Sequence, residues 1–260
     1  MGLGKKRVIG ILVVTGLLVG CLVAGMLLSR GKVYQGVRVR VLYHSDTLVT
    51  AEDLKEYVKS HCPSVNGRLR QNVSLSQIGG TIRRWPYADT VRVTADTKGF
   101  IHVEVVQAKV LLHVINSAGS SFYLSKVGHT GRMLPYLPHH PVRVTVASGN
   151  IPDICRPNQV LEWQDSSVCH DLMRIASCID RSPFWRAQIS QIYVRKRGDY
   201  CLVPTVGNHL VELGGTDNLQ QKFDNLWYIY TQGFNVAGWQ RYAKVSLQFG
   251  DRIPCEKRTI

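Results

Sequence analysis

The pattern of hydrophobic and polar positions begins with one long apolar run. Residues 8–28 contain no charged side chain, and only Thr15 and Cys21 are even mildly polar. A helix of this length, at 1.5 Å per residue, covers about 30 Å, which is the thickness of a bilayer's hydrocarbon core. The run therefore predicts a single membrane-spanning helix near the N-terminus.

The charges around this run indicate its orientation. The basic segment 5–7 and the terminal amine precede it, and Arg30 and Lys32 follow it. Positive charge is retained preferentially on the cytoplasmic side of a membrane. We therefore expect residues 1–7 to form a short cytoplasmic tail and the rest of the chain to lie outside.

Two other interpretations of the N-terminus stay open. Leu18 to Cys21 has the form of a bacterial lipoprotein signal, in which Cys21 would be lipidated and become the new N-terminus. A cleaved secretory peptide is the other, although its apolar region is normally shorter and ends at small residues. The apolar run continues through residues 22–28, which favours an uncleaved anchor.

After residue 35 the period of the pattern changes to two, which is typical of half-buried strands. Alternation predicts strands at residues 37–41, 90–94 and 101–105. Between the first two strands, helices begin at the hydroxyl caps Thr50 and Ser74. The predicted order is β-α-α-β-β. We interpret the apolar run 110–114 as a continuation of the last strand past a bend.

The remainder of the chain reads as a β-rich domain with packed helices. Strands are predicted at residues 122–124, 142–146, 192–194, 200–203, 209–213 and 242–249, and helices over 166–180 and 217–232. The fold class is therefore α+β, with one transmembrane helix, a β-α-α-β-β module and a mixed β-sheet domain. The predicted parts are a cytoplasmic tail (1–7), the transmembrane helix (8–28), a first domain (35–115), a C-terminal β domain (116–250) and a flexible tail (251–260).

Composition narrows the choice of protein class. Apolar residues make up 45% and charged residues 19%, which excludes a disordered chain and a polytopic membrane protein. The net charge of +14 first suggests nucleic-acid binding. However, the first 33 residues hold five basic residues and no acid, and the remaining excess is diffuse. A nucleic-acid surface is normally concentrated on one face, so no nucleic-acid partner is expected.

A search for catalytic or ligand-binding patterns finds no convincing constellation. The sequence has no nucleophile elbow, zinc-protease, P-loop or dinucleotide motif. Cys169 and His170 are adjacent, so their side chains point in different directions, and His139-His140 lies in a proline-bounded loop. Cysteine spacings are irregular, which favours buried free thiols, although an oxidising compartment permits disulfides. We expect no enzyme, cofactor, metal or small-molecule substrate.

The last predicted strand offers a surface of a different kind. Its outward face is predicted to carry Tyr242, Lys244, Ser246 and Gln248, and its core face Ala243, Val245, Leu247 and Phe249. An edge strand has free backbone groups that can accept a strand from a partner. The alternative is an ordinary strand that is paired on both sides.

Several short motifs resemble the bacterial cell-division family FtsQ/DivIB. Residues 82–93 resemble the family's junction from a helix through a Pro-aromatic pair to a strand in its POTRA module, and residues 101–106 resemble the strand that follows. Residues 122–135 resemble the start of the second domain, and residues 242–249 with 255–258 resemble its last strand and basic end.

The resemblance implies a non-enzymatic scaffold of the divisome in the cytoplasmic membrane at the septum, with its POTRA and β domains outside. Partners would be small bitopic proteins similar to FtsB and FtsL, which add a strand to the final strand, and early proteins similar to FtsK. Membrane lipid would be contacted through residues 8–28. The alternatives are a POTRA-containing transport or envelope-assembly component, a lipoprotein adapter and a membrane-anchored cell-wall enzyme. The implied partner-binding residues are Tyr242, Lys244, Ser246 and Gln248, with Tyr228 and Trp239 as further candidates.

Overall fold

The computed structural model describes residues 15–21, 33–43, 47–62, 65, 67–127, 130–152, 160–161, 168–196, 198–250 and 252–258. Residues 15–21 are helical and lie inside the predicted membrane span. Among the described residues, no helix combines the length and apolar character needed to cross a membrane. The rest of the predicted span and the tail 1–7 lie outside the described residues.

The chain separates into two compact units. The first contains Gly36–Leu42 with Thr50–Val106, and the second contains Tyr43–Val49 with Gln107–Ile260. The pattern of the sequence predicts a boundary after residue 115, whereas the second unit resumes at Gln107. Each unit is described separately below.

The first unit has the predicted order β-α-α-β-β, with one additional 3₁₀ turn at Arg70–Asn72. Its elements are β1 (Gly36–Leu42), α1 (Ala51–His61), α2 (Leu75–Ile82), β2 (Ala88–Ala95) and β3 (Phe100–Gln107). The three strands form a sheet in the order β1-β3-β2, in which β1 runs parallel to β3.

Local chemistry explains where α1 begins and how it packs. The Asp53 amide donates to Thr50 Oγ1 over 3.3 Å, and the Thr50 amide donates to Asp53 Oδ2 over 2.7 Å, which is a capping box. Leu54 and Val58, four residues apart, are the buried side chains of the helix. The spacing of apolar residues thus fixes the face that α1 turns toward the core.

The second unit is built on one large sheet. Its strands are β4 (Lys109–Ile115), β5 (Ser121–Val127), β6 (Thr130–Pro135), β7 (Thr145–Gly149), β8 (Val160–Leu161), β9 (Ile189–Lys196), β10 (Asp199–Pro204), β11 (Leu210–Gly214), β12 (Tyr242–Ser246) and β13 (Cys255–Lys257). Their order is β13-β12-β11-β10-β9-β7-β4-β5-β6-β8. The helices are α3 (Val168–Asp180), α4 (Pro183–Gln188), α5 (Leu219–Tyr228) and α6 (Phe234–Ala237), with a π turn at Ile229–Gly233 before α6.

β4 corrects the interpretation of the apolar run 110–114. The run is not a continuation of β3, because β4 pairs antiparallel with β5 and parallel with β7 inside the large sheet. Val110, Leu111 and Leu112 are buried at three consecutive positions. A strand covered on both faces is apolar at successive positions rather than at alternate ones, which fits this central place.

The C-terminal segment corrects the prediction of a flexible tail. Residues 252–258 are ordered into β13 and its flanks, whereas residues 251, 259 and 260 lie outside the described residues. Ile253 and Cys255 are half-buried against the core. Burial of these two side chains stabilises the segment against the sheet.

One continuous core joins the helices to the sheet of the second unit. It includes Leu172 and Ile175 of α3, Leu226 of α5, and Ile192 and Val245 from the strands. The described cysteines are free thiols, namely Cys21, Cys62, Cys169, Cys178, Cys201 and Cys255.

Candidate partner-binding edge of the C-terminal sheet

β12, the strand predicted to accept a partner, is paired on both sides in the structure. On one side it runs parallel to β11, with Lys244 opposite Leu210. On the other side it runs antiparallel to β13, with Lys244 opposite Glu256 and Val245 opposite Cys255. Of the two interpretations of this strand, an edge strand and a strand paired on both sides, the structure shows the second: the edge strand is β13, and it is supplied by the same chain.

The side chains of β12 follow the predicted alternation only in part. Val245 and Leu247 are 0% and 2% exposed, as expected for the core face. Ser246 is only 6% exposed instead of pointing into solvent, and Phe249 is 61% exposed instead of joining the core. Phe249 lies outside the core because the regular strand ends at Ser246, and Phe249 already forms a bridge with Arg252 in the returning chain.

A row of ion pairs crosses the end of the sheet. Lys244 Nζ lies 2.9 Å from Glu256 Oε2 and 3.7 Å from Glu212 Oε1. Glu212 Oε1 also lies 2.6 Å from Arg195 Nη2. The row therefore joins β9, β11, β12 and β13, with Glu212 shared by two cations.

The ion-pair row also shifts the pKa values of its two cations. The hydrogen bond to Glu256 raises the pKa of Lys244, and the hydrogen bond to Glu212 raises the pKa of Arg195. Arg195 Nε donates to Cys201 Sγ over 2.9 Å. Burial nevertheless raises the pKa of the Cys201 thiol, against the opposing effect of this hydrogen bond. Cys201 is a protonated, 0% exposed thiol at neutral pH and therefore a poor nucleophile.

An aromatic cluster lies at the start of β12 and fixes its position. The Tyr242 ring stacks on Phe234 of α6, with centroids 5.3 Å apart and an interplanar angle of 11°. The Trp239 ring centroid lies 5.4 Å from that of Phe234 and 4.9 Å from that of Tyr230. Contacts of this kind stabilise aromatic pairs beyond the area that they bury. The side chains of Tyr242 and Trp239 thus connect β12 to the helical layer.

His209, directly before β11, belongs to the same cluster. Its Nε2 lies 2.9 Å from the Tyr230 hydroxyl oxygen, and its ring centroid lies 5.0 Å from the centroid of the Phe234 ring. Its Nδ1 is buried and, among the described residues, has no hydrogen-bond partner. Burial, with a smaller contribution from the charge of Arg258, lowers the pKa of His209 to about 4. The imidazole is therefore neutral at physiological pH.

The remaining predicted residues lie on the surface. Gln248 is exposed just beyond β12. Its side chain packs against the backbone of Gly214, whose φ is +67°, so closely that a Cβ at that position would lie 2.9 Å from Gln248 Cγ. Tyr228, the last residue of α5, is 65% exposed. The structure therefore places Tyr242, Lys244 and Ser246 on one strand, whereas Tyr228 lies on a helix surface.

Three residues of the ion-pair row were not predicted from the sequence. Glu212 and Arg195 occupy polar positions of alternating strands, and Glu256 lies in the segment predicted to be loose. Each position is unremarkable by itself. Only the order of the strands shows that these three residues and Lys244 lie in one row. The alternating pattern does not predict that β11 pairs in parallel with β12, because helices separate the two strands in the sequence.

Comparison with known protein families gives a match over the second unit. The family described as FtsQ/DivIB, C-terminal related, matches residues 110–256, which is more than half of the 260 residues. The match runs from β4 to β13 and therefore includes the ion-pair row and the aromatic cluster. No curated protein matches the chain.

Proposed function

Because the chain belongs to the FtsQ/DivIB, C-terminal related family, we propose that it is a non-enzymatic, membrane-anchored scaffold that links early and late division proteins at the septum. The family match by itself indicates a cell-division protein. The observation that carries the more specific proposal is that the match covers the large sheet up to β13. A sheet end presents backbone groups for protein partners, which suits a scaffold.

We propose residues 8–28 as the anchor in the cytoplasmic membrane, with the two units on its outer side. The uncharged run, the basic segment 5–7 and the helical residues 15–21 support this arrangement. The first unit, with its order β-α-α-β-β, is proposed as a POTRA module that meets early partners similar to FtsK.

We propose that the second unit binds small bitopic proteins similar to FtsB and FtsL at the β12–β13 end of its sheet. A partner segment in extended conformation would bind there by backbone hydrogen bonds. The proposed contacts are Tyr242, Lys244, Ser246 and Gln248, with Ser246 contributing through its backbone because its side chain is buried. Tyr228 and Trp239 are proposed as outlying contacts.

Depletion of the protein in its own bacterium tests the proposed function. Cells that lose the protein should grow as filaments without septa, and expression of the full chain should restore division. A chain in which another single-pass helix replaces residues 8–28 should also restore it, whereas a chain that begins at residue 33 should not. Normal septation after complete depletion would reject the scaffold role.

A further inference from the structure

β13 is a short strand at the end of the sheet. It contains three residues, and Pro254, directly before it, has no amide to donate. The Ser246 amide donates to the Pro254 carbonyl over 2.9 Å, and the Arg258 amide donates to the Arg241 carbonyl over 2.9 Å. Its ion pair is open to water, because the side chains of Glu256 and Lys244 are 63% and 39% exposed. Exposed pairs of this kind contribute little stability.

β12 is also held from its other side and by the hydrophobic core. The Leu247 amide donates to the Glu212 carbonyl in β11 over 2.8 Å. The side chains of Val245 and Leu247 are buried in the core, whereas β13 and its flank contribute only the half-buried Ile253 and Cys255. Release of β13 would therefore leave β12 in place with a free edge.

From these contacts we infer that β13 is an exchangeable strand, which covers the acceptor edge of β12 in the free chain and leaves when a partner strand pairs there. The identity of the displacing strand rests on the proposed function; the exchange itself does not. β13 pairs with β12 through a register shift between Tyr242 and Lys244, whereas an incoming strand can pair along Tyr242–Ser246 without this irregularity and so form a more regular ladder.

Because β13 belongs to the same chain as β12, the exchange selects among partner strands. A segment joined to its own binding site by a short linker has an effective concentration in the millimolar range. Any partner must outcompete this internal strand, so segments with short or irregular pairing are excluded. β13 thus makes the edge accessible only to a strand that pairs better, and it protects the edge from unspecific strand pairing in the meantime.

Hydrogen exchange of two neighbouring amides measures the opening of β13 directly. The Ser246 amide is bonded to the β13 side and the Leu247 amide to β11. In the full chain in detergent, we expect Ser246 to exchange at least tenfold faster than Leu247, measured by mass spectrometry with electron-transfer fragmentation. Equal protection of both amides would show that β13 opens only when the unit unfolds, and would overturn the inference.

A reversible cross-link provides the matched control. Val245 and Cys255 lie opposite each other in the two strands. Because the neighbouring Ser246 amide bonds to the Pro254 carbonyl, Val245 and Cys255 form a non-hydrogen-bonded pair. Opposite side chains are closest in pairs of this type. Val245→Cys should therefore form a disulfide with Cys255. Oxidation should slow exchange at Ser246 more than at Leu247, and reduction should reverse this. Val245→Cys combined with Cys255→Ser should not respond; a response there, or no effect of oxidation, would contradict the inference.

A synthetic peptide with the sequence of residues 250–260 tests whether the edge accepts a strand in place of β13. A chain that ends at Gly250 should bind the labelled peptide at least tenfold more tightly than the full chain, and the oxidised Val245→Cys chain should not bind it. Equal binding by all three chains would overturn the inference. The two proposals fail separately. If the Ser246 amide exchanges fast but depletion of the protein leaves septation normal, the proposed function is rejected and the strand exchange stands.

Discussion

The imidazole of His209 shows how its surroundings set the charge of one residue. It is 5% exposed, its Nε2 is next to the Tyr230 hydroxyl, and Phe234 and Trp239 contact its ring. Neither neighbouring ring offers a countercharge, so the folded protein disfavours the imidazolium. In an unfolded chain the same side chain is hydrated and has its ordinary pKa of 6.5.

The stability of the second unit should therefore depend on pH through His209. Its pKa is lowered to about 4 in the folded state. Between the two pKa values the unfolded state binds more protons, so stability is complete above pH 6.5 and falls as pH decreases toward 4. At pH 5 the expected loss is about 2 kcal/mol relative to neutral pH.

Urea unfolding followed by tryptophan fluorescence at several pH values tests this expectation. His209→Gln is the matched control, because glutamine is polar and does not titrate. The difference in stability between the native chain and this variant should shrink by about 2 kcal/mol from pH 7.5 to pH 5. A constant difference across this range would show that His209 is not buried in its neutral form.

At the scale of elements, the ion-pair row binds together strands that are remote in sequence. Glu212, with a side chain 17% exposed, contacts both Arg195 and Lys244. Glu256 contacts Lys244 from the edge strand and is 63% exposed. Because Glu212 is better shielded from water and shared by two cations, it should contribute more stability than Glu256.

Charge-neutral substitutions separate the two carboxylates. Glu212→Gln should destabilise the second unit by about 1–3 kcal/mol, since it leaves two cations without their shared partner. Glu256→Gln should cost about 0–1 kcal/mol, as is usual for exposed pairs. Chemical denaturation of both variants at moderate salt gives the comparison, and a larger effect at Glu256 would contradict the proposed order.

The elements that could be predicted from the sequence are those defined by local chemistry. The cap at Thr50 and the alternation around β2 and β3 correctly gave the β-α-α-β-β order of the first unit. Helical spacing likewise located α3 and α5. These features depend on residues within a few positions of each other, so the sequence displays them directly.

What could not be predicted depends on pairing between distant segments. The alternating pattern of β12 is compatible with an edge and with an internal position, and only the return of Cys255–Lys257 decides between them. The run 110–114 is equally compatible with an extension of β3 and with a separate strand. The alternation thus placed Tyr242, Lys244 and Ser246 on one strand, whereas the burial of Ser246 and the ionic partners of Lys244 could not be predicted.

At the scale of the whole molecule, the net charge of +14 requires no positively charged groove for nucleic acid. Five of the basic residues flank the apolar run near the N-terminus, where they suit an orienting role at a membrane. Others, such as Arg195 and Lys244, are paired with carboxylates in the sheet. The described strands of the second unit form one sheet from β8 to β13, and the proposed partner site occupies its β13 end.

Site-specific photo-crosslinking in dividing cells tests the proposed partner site most directly. A photoreactive residue at Lys244 should capture a small single-pass membrane protein, identified by mass spectrometry. The same residue at Lys126, an exposed lysine of β5 in the same sheet, serves as the control and should not capture it. The same adduct from both positions, or no adduct from Lys244 in cells that divide normally, would contradict partner binding at the β12–β13 end.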